Sequence, residues 1–250
     1  MNKKNILITG ASSGIGWATA KALDQEGHQL IICGRRQDRL DQLDRELKAP
    51  SFPLVFDVTN KQEVFSALES IPKTFLPVSV VINNAGNAHG LDPVQTANMD
   101  DWEAMIDSNL KGLLYVTKAL LPQMLTQKSG QIINVGSIAA KETYPKGSVY
   151  CSSKAAVDAF TKGLRMDLIG KNIRVGILHP GMVETEFSVI RFKGDQEKAN
   201  QVYDGLQPLS GADVAEAITF MVGAPPHVNV ADMLLLPTQQ ATATIAHRKK

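Results

Sequence analysis

The chain has 250 residues, of which 44% are hydrophobic and 20% are charged, and its formal net charge is +1. This length and composition suit one α/β domain with a well-buried core, spanning residues 1–250. The nearly neutral charge provides no broad positive field for nucleic acid or an anionic membrane, so any anion site must be local. The ligand is therefore expected to be small.

The amino terminus leads directly into the first apolar run, and no run of about 18 apolar residues exists. Cys33 and Cys151 are too few for a disulfide framework and have no neighbouring metal-ligand pattern. The five histidines show no triad or metal spacing, and His179, beside Pro180, is expected to be structural. We predict a cytoplasmic protein with no signal peptide, membrane span or metal site.

Seven apolar runs alternate mostly with helix-like segments. In chain order the runs are residues 6–8, 30–33, 54–56, 78–82, 132–135, 175–178 and 233–236. They lack the period-two polarity of half-exposed strands, which predicts a parallel sheet covered by helices on both faces. Right-handed crossovers then give a doubly wound, Rossmann-type α/β fold.

A glycine-rich segment, residues 9–16 (TGASSGIG), follows the first run. Gly10 permits a sharp turn, Gly14 lets the main chain approach a pyrophosphate, and Gly16 lets the next helix pack on the strand, with its N–H groups facing the phosphates. A plain tight turn is the alternative. The functional interpretation predicts a dinucleotide site made by Gly10, Ser12, Ser13, Gly14, Ile15 and Gly16.

The residues after the second run indicate which dinucleotide is bound. An acidic residue there would accept hydrogen bonds from the ribose 2′-hydroxyl of NAD, whereas this chain has Gly34, Arg35 and Arg36. Two guanidinium groups favour the 2′-phosphate of NADP. The alternative is that both arginines are solvated surface residues.

Tyr150 and Lys154 are four residues apart and therefore share one face of a helix. A nearby lysine cation favours the phenolate and lowers the tyrosine pKa, which makes Tyr150 a usable general acid and base. Ser137 precedes Tyr150 by thirteen residues, ends the fifth run, and can hold the same substrate oxygen. Asn109 lies in a helical segment; it is either part of this set or a helix-interior kink residue.

Together with Asn83-Asn84-Ala85-Gly86 after the fourth run, these motifs resemble the short-chain dehydrogenase/reductase family over about residues 6–237. Within that family, segments 34–36, 184–188, 191–195 and 227–229 are similar to the NADP-dependent 3-hydroxy acid (serine) dehydrogenase branch. The resemblance implies a seven-stranded sheet in the order 3-2-1-4-5-6-7.

The resemblance also implies roles for individual residues. Asn109 would anchor a water that links Lys154 to solvent, and Lys154 would hold the nicotinamide ribose hydroxyls. Asp57 and Val58 would bracket the adenine. The remaining cofactor contacts implied by the family are Asn84, Ala85 and Gly86 beside the ribose, and Pro180, Gly181, Val183 and Thr185 around the carboxamide.

Three functions remain open. The first is an NADP-dependent dehydrogenase of a small 3-hydroxy acid such as serine, which requires a compact polar pocket with one fixed cation. The second is a broad carbonyl or 3-oxoacyl reductase, which requires a long apolar cleft. The third is an NADP(H)-sensing binding protein, which the presence of all four catalytic residue types disfavours.

Residues 186–209 lack a clear strand and carry mixed charges, so we predict a mobile cap over the substrate. Arg191 and Lys193 in this cap are candidates to bind a substrate carboxylate, and Arg191 is preferred because its planar fork can bind bidentately. Both could instead be solvated. The tail, residues 238–250, is expected to be disordered.

Two long helices are expected, at residues 101–127 and 149–169, with Pro122 kinking or splitting the first. Their small and apolar residues exceed what one covering layer needs. Core packing is one explanation. The family resemblance favours a subunit interface and predicts a homotetramer, with Leu113, Ala155, Ala159, Phe160 and Gly163 among the interface candidates.

Overall fold

The computed structural model describes residues 3–249 and contains a seven-stranded sheet in the order β3-β2-β1-β4-β5-β6-β9. Every neighbouring pair is parallel. The predicted doubly wound sheet is thus confirmed, and each of the seven apolar runs lies in or overlaps one of its strands. The strands are β1 (Asn5–Thr9), β2 (Gln29–Gly34), β3 (Ser51–Val55), β4 (Val80–Asn83), β5 (Gly130–Val135), β6 (Ile173–Pro180) and β9 (Asp232–Leu235).

Helices connect these strands and cover both faces of the sheet. They are α1 (Gly14–Gln25), α2 (Gln37–Glu46), α3 (Lys61–Glu69), α4 (Met99–Ile106), α5 (Gly112–Gln127), α6 (Ser148–Asp167), α7 (Glu186–Arg191), α8 (Gln196–Gln201) and α9 (Gly211–Gly223). The two-residue strands β7 (Val183–Glu184) and β8 (Leu209–Ser210) pair with each other. The predicted cap therefore contains two short helices, α7 and α8.

Alternation of side chains along β1 shows how the core is divided. Ile6 and Ile8 are buried in a cluster with residues of α1, α2 and α9, whereas Leu7 is buried in a second cluster with residues of α3, α5 and α6. Both faces of a strand meet helices, so neither face needs polar residues. This explains why the strands are continuous apolar runs in the sequence.

The first of the two predicted long helices is interrupted, but before α5 and not at Pro122. Five residues, Asp107–Lys111, form a π-helical turn between α4 and α5. Pro122 lies within α5, which continues to Gln127, so the expectation that Pro122 splits the helix is wrong. Asn109 sits in the π turn, a form of helix that is often found at functional sites.

Residues 238–249 of the carboxyl-terminal tail lie against the body of the protein, in contrast to the expected disorder, and Lys250 lies outside the described residues. Gln240 is buried, and its side-chain oxygen accepts a hydrogen bond from the Met182 N–H at 2.8 Å. Arg248 donates to the Val202 carbonyl at 2.9 Å, and so connects the tail to the cap. Among the helices of residues 3–249, none is long and apolar enough to cross a bilayer.

Candidate active site

The carboxyl ends of the parallel strands meet at one edge of the sheet, where loops form a cavity of about 940 Å³. Ligands of doubly wound folds bind at this edge. The cavity is lined by residues from the ends of β1, β2, β4, β5 and β6 and from the cap. Of the predicted cofactor, substrate and catalytic residues, all but Gly16, Asn109 and the second cap cation, Lys193, line it.

The glycine-rich turn has the backbone conformation that its sequence predicts. Gly10 and Gly14 have φ angles of +67° and +53°, a region that favours glycine. A Cβ on Gly10 would lie 2.8 Å from the Asn84 side chain, and one on Gly16 would lie 2.3 Å from the Gly10 carbonyl oxygen. Gly16 therefore lies behind the turn, where it allows α1 to approach β1.

Hydrogen bonds fix the turn to the loop after β4. The Thr9 hydroxyl oxygen accepts from the N–H groups of Asn84 and Ala85, both at 3.0 Å. In return, the Asn84 amide donates to the carbonyl oxygens of Thr9 at 2.9 Å and Gly10 at 3.2 Å. The Asn84 side chain thus holds the glycine-rich turn in place, and Asn84 also lines the cavity.

Both predicted arginines lie at the β2 end of the cavity. Arg36 donates to the Ser12 carbonyl and hydroxyl at 3.1 and 3.3 Å and forms an ion pair with Glu186 at 3.1 Å. Arg35 is 70% exposed and lies 3.4 Å from the Asp57 carboxylate. Two cations and the Ser12 hydroxyl therefore line the region where the sequence predicts a 2′-phosphate.

Asp57 and Val58 form the adjacent wall. Burial alone would raise the pKa of Asp57, but hydrogen bonds from Thr59 and the Arg35 charge outweigh burial and hold that pKa below its usual value. Val58 packs against α5, where a Cβ on Gly112 would lie 2.8 Å from the Val58 side chain. Because its pKa is lowered, the Asp57 carboxylate is ionised at neutral pH and able to accept hydrogen bonds.

Asn109 lies below the cavity floor and is 2% exposed. Its amide accepts from the Asn87 N–H at 2.8 Å and donates to the Asn87 carbonyl at 2.9 Å and the Ser153 hydroxyl at 3.0 Å. A Cβ on Gly86 would lie 2.7 Å from the Asn109 side-chain oxygen and 3.4 Å from the Lys154 ammonium. Asn109 is thus both a residue of the helix interruption and a neighbour of Lys154.

Lys154 is buried on α6, one turn after Tyr150. Its ammonium donates to the Val135 carbonyl at 3.1 Å. Burial lowers the pKa of Lys154 to about 8 because the charged form loses its hydration. The side chain can therefore gain or lose a proton near neutral pH.

The groups that shift the pKa of Tyr150 differ from the one that the sequence predicted. Burial raises the pKa of Tyr150 and the Tyr144 hydroxyl adds to this, while the nearby Ser137 hydroxyl and Arg191 guanidinium lower it. The sequence had predicted that the Lys154 cation lowers this pKa. In the structure the Lys154 ammonium is directed to Val135, and the guanidinium carbon of Arg191 lies 5.5 Å from the Tyr150 ring centroid.

Arg191 extends from the end of α7 toward Tyr144 and Tyr150. It donates to the Gly90 carbonyl at 3.2 Å and to the Tyr144 hydroxyl at 2.9 Å. Lys193 does not line the cavity; its ammonium forms an ion pair with Asp101 at 2.9 Å. Of the two predicted cap cations, only Arg191 faces Tyr150.

The loop after β6 closes the opposite wall. Pro180, Gly181, Val183 and Thr185 line the cavity, and a Cβ on Gly14 would lie 3.2 Å from the Thr185 side chain. Gln240, from the tail, also lines the wall and supports Met182. The predicted carboxamide loop therefore lies directly beside the glycine-rich turn.

Several residues that line the cavity were not predicted from the sequence, among them Tyr144, Glu186 and Gln240. Tyr144 lies in segment 141–146, for which no contact with the site was predicted, and Glu186 was predicted only as part of the cap. Gln240 had no sequence signal, because its contact with Met182 joins residues 58 positions apart.

Known proteins resemble this chain over its full length. A family model described as short chain dehydrogenase matches residues 4–196. An NADP-dependent 3-hydroxy acid dehydrogenase of Schizosaccharomyces pombe is 42% identical, covering 100% of this chain and 98% of the relative. A serine 3-dehydrogenase of Rhizobium radiobacter is 41% identical, with 95% of both proteins covered.

A solved structure described as the closed form of serine dehydrogenase complexed with NADP+ superimposes with a TM-score of 0.94 at 40% identity. The match covers 98% of this chain and 99% of that one. The family model, the relatives and the shared fold agree with the motifs of the site. The chain belongs to the short-chain dehydrogenase/reductase family.

Proposed function

We propose that this chain is an NADP-dependent dehydrogenase that interconverts a small 3-hydroxy acid, such as serine or 3-hydroxypropionate, with its 3-oxo form. The observation that carries the proposal is the position of Arg191, whose guanidinium lies beside the Tyr150 ring within the cavity. The names of the relatives, 3-hydroxy acid dehydrogenase and serine 3-dehydrogenase, support the same substrate class.

The cofactor site fits a dinucleotide with a 2′-phosphate. Gly10 and Gly14, with their positive φ angles, form a turn that lines the cavity, where its main chain is open to a pyrophosphate, and Arg35, Arg36 and Ser12 offer donors to the 2′-phosphate. When bound, NADP would accept or supply the hydride. The chain would orient it through the loop after β6 on one side and Asn84, Ala85 and Gly86 on the other.

Tyr150 would transfer the proton. In oxidation it removes the proton of the substrate hydroxyl, and in reduction it returns a proton to the carbonyl oxygen. Ser137 would hold the same oxygen, since its hydroxyl lies close enough to influence the Tyr150 pKa. Lys154 would hold the ribose and, with Asn109, connect the site to solvent.

A substrate carboxylate needs a cation that is partly shielded from water, and the half-buried Arg191 provides one. Hydrogen bonds to Gly90 and Tyr144 fix the side chain, so little rotamer freedom remains to be lost on binding. A broad carbonyl reductase would not require a fixed cation next to the general acid. The polar wall of Ser137, Tyr150 and Arg191 therefore favours the hydroxy acid.

Residues 186–209 would act as a mobile cap. The segment contributes Arg191 and Phe187 to the cavity, and the Phe187 ring centroid lies 5.8 Å from that of Tyr150. Closing this segment would exclude water from the reacting groups. The Arg36–Glu186 ion pair connects the start of the cap to the nucleotide end of the site.

We also propose a homotetramer in the cytoplasm, formed in part through α6. Ala155, Ala159 and Met166 are exposed on this helix, and a Cβ on Gly163 would meet nothing within 4 Å. Such a small-residue face allows close approach of a second helix. Leu113 and Phe160, however, pack in the core next to Val157 and Ile177, so core packing explains these two apolar residues without an interface.

The cysteines bear on the compartment proposed for the protein. Both Cys33 and Cys151 are buried and unpaired, in keeping with a reducing compartment.

The test compares two substrates that differ in charge: 3-hydroxypropionate and its neutral analogue 4-hydroxy-2-butanone. Arg191→Ala is expected to raise KM for the acid more than about tenfold, because hydrogen bonds to charged groups contribute about 1.5–3 kcal/mol. The effect on the neutral alcohol should be small. Lys193→Gln is the matched control, since it removes a cap cation that is paired with Asp101 outside the cavity.

An equal loss on both substrates would mean that Arg191 shapes the cap and does not bind the carboxylate. If the wild-type protein oxidised the neutral alcohol more efficiently than the acid, the broad carbonyl reductase would replace the proposed function.

A further inference from the structure

His179, at the end of β6, lies directly behind the catalytic serine. The side chain is 0% exposed. Its Nδ1 lies 3.0 Å from the Ser137 carbonyl oxygen and 3.3 Å from the Ser137 N–H nitrogen. A Cβ on Gly136 would lie 2.4 Å from Nδ1, so the glycine is needed for the ring to approach the main chain this closely.

The segment that His179 contacts supplies two groups of the active site. The Val135 carbonyl accepts the hydrogen bond of the Lys154 ammonium, and Ser137 provides the hydroxyl next to Tyr150. Val135 is the last residue of β5, and Gly136 and Ser137 follow it directly. Of these three residues, only the Ser137 side chain was expected to act in the site. Because the His179 ring holds this main chain, it affects both the Lys154–Val135 hydrogen bond and the position of the Ser137 hydroxyl.

The other nitrogen of the ring faces two carboxylates. Nε2 is 3.5 Å from Asp158 on α6 and 3.6 Å from Asp232 at the start of β9, and within residues 3–249 it has no hydrogen-bond partner at normal distance. These three side chains could in principle hold a metal ion. The Lys141 ammonium, however, lies 2.5 Å from Asp232 and 3.4 Å from Asp158, and Lys162 lies 2.7 Å from Asp158. The carboxylates are therefore paired with lysine ammonium groups, which occupy the position that a metal ion would need.

The charges around the ring determine which nitrogen carries the proton. Burial and the Lys141 charge lower the pKa of His179, and the opposing influence of Asp232, the Ser137 carbonyl and Asp158 does not outweigh them. The imidazole is therefore neutral at pH 7 and has one proton. Two carboxylates facing Nε2 favour that proton on Nε2, which leaves Nδ1 to accept from the Ser137 N–H.

We propose that His179 is a positioning residue that fixes the main chain of Ser137, and that the Asp158–Asp232–Lys141 cluster sets the tautomer of its ring. The proposal rests on the catalytic role proposed for Ser137. His179 contacts neither the cavity nor the reacting groups, and it acts through the residues that do.

Two substitutions separate positioning from packing. His179→Asn keeps a polar atom where Nδ1 lies, whereas His179→Leu removes both nitrogens at similar size. The expected result is a kcat within about threefold of wild type for the Asn variant and a loss of at least about tenfold for the Leu variant, with the affinity for NADP unchanged in both. In the Leu variant, the midpoint of the pH dependence of kcat/KM for oxidation should move upward, because the Ser137 hydroxyl no longer supports the Tyr150 phenolate.

His28→Leu is the matched control. His28 is also buried, and its Nδ1 also accepts from a backbone N–H, that of Lys4 at 3.3 Å, but it lies just before β2, at the edge of the sheet opposite the site. This variant can change the melting temperature and should leave kcat and the pH profile unchanged. Ser137→Ala distinguishes the two proposals: if it retains full activity, the role proposed for Ser137 is wrong; if only it loses activity, the positioning role of His179 is wrong.

A full kcat in His179→Leu would overturn the inference, as would equal losses in the Leu and Asn variants. If the Leu variant does not fold, the double variant Asp158→Asn, Asp232→Asn decides. We expect at least a threefold loss of kcat with unchanged NADP affinity, since the ring is then free to change tautomer, and an unchanged kcat would contradict the proposal.

Discussion

The buried ammonium of Lys154 should destabilise the folded protein at neutral pH. Burial lowers its pKa from the ordinary value of 10.5 to about 8. Each unit of pKa shift corresponds to about 1.4 kcal/mol, so the charged form costs about 3 kcal/mol of folding free energy at pH 7. Between pH 8 and 10.5 the unfolded chain binds this proton more tightly than the folded chain, so the contribution of Lys154 to stability becomes less unfavourable as the pH rises.

Lys154→Met removes this titration while retaining much of the side-chain volume. The Val135 carbonyl loses its partner in the variant, which costs about 1–3 kcal/mol independently of pH. The informative quantity is therefore the pH dependence of the difference in unfolding free energy between variant and wild type. We expect the advantage of the variant to decrease by about 2 kcal/mol between pH 7 and pH 9.5.

Urea unfolding of both proteins without nucleotide, at one protein concentration, measures this difference. Lys118→Met is the matched control, because Lys118 lies on the exposed face of α5 and its removal takes a charge from water. The control difference should be nearly constant over the same pH range. A constant difference for Lys154→Met as well would show that its ammonium is hydrated and would refute the reasoning.

Three further predictions concern the cofactor, the proton and the assembly. Arg36→Ala should weaken NADP+ binding by about 1.5–3 kcal/mol and barely change that of NAD+, as measured by calorimetry, because only NADP+ has the 2′-phosphate; equal losses would contradict the assignment. Tyr150→Phe should lower kcat by about 10² to 10⁴ while NADP+ still binds, and retention of more than a tenth of kcat would exclude Tyr150 as the general acid. Light scattering should give about four times the 27.1 kDa chain mass; a monomer at micromolar concentration would contradict the homotetramer.

The strands and the glycine-rich turn could be predicted because local sequence determines them. A strand covered on both faces must be apolar along its whole length, as Ile6, Leu7 and Ile8 are. The positive φ of Gly10 and Gly14 likewise requires particular residues at particular positions. Such features need no knowledge of distant parts of the chain.

Features that depend on long-range contacts could not be predicted in the same way. The sequence favoured Arg191 over Lys193 only for the shape of its guanidinium group, and the fold shows that Arg191 faces Tyr150 whereas Lys193 pairs with Asp101. His179 showed no functional signal, because its partners Ser137 and Asp158 are distant in sequence. The direction of the Lys154 ammonium was missed for a related reason, since helix spacing places a side chain on a face but does not select its hydrogen-bond partner.

The central claim is NADP-linked oxidation of a small 3-hydroxy acid, and the most direct measurement is kcat/KM of the wild-type protein with NADP+ for 3-hydroxypropionate and 4-hydroxy-2-butanone. A fixed guanidinium at the site should favour the acid by at least about tenfold, since a charge-assisted hydrogen bond contributes about 1.5–3 kcal/mol. Equal values for the two substrates, or a preference for the neutral one, would contradict the account.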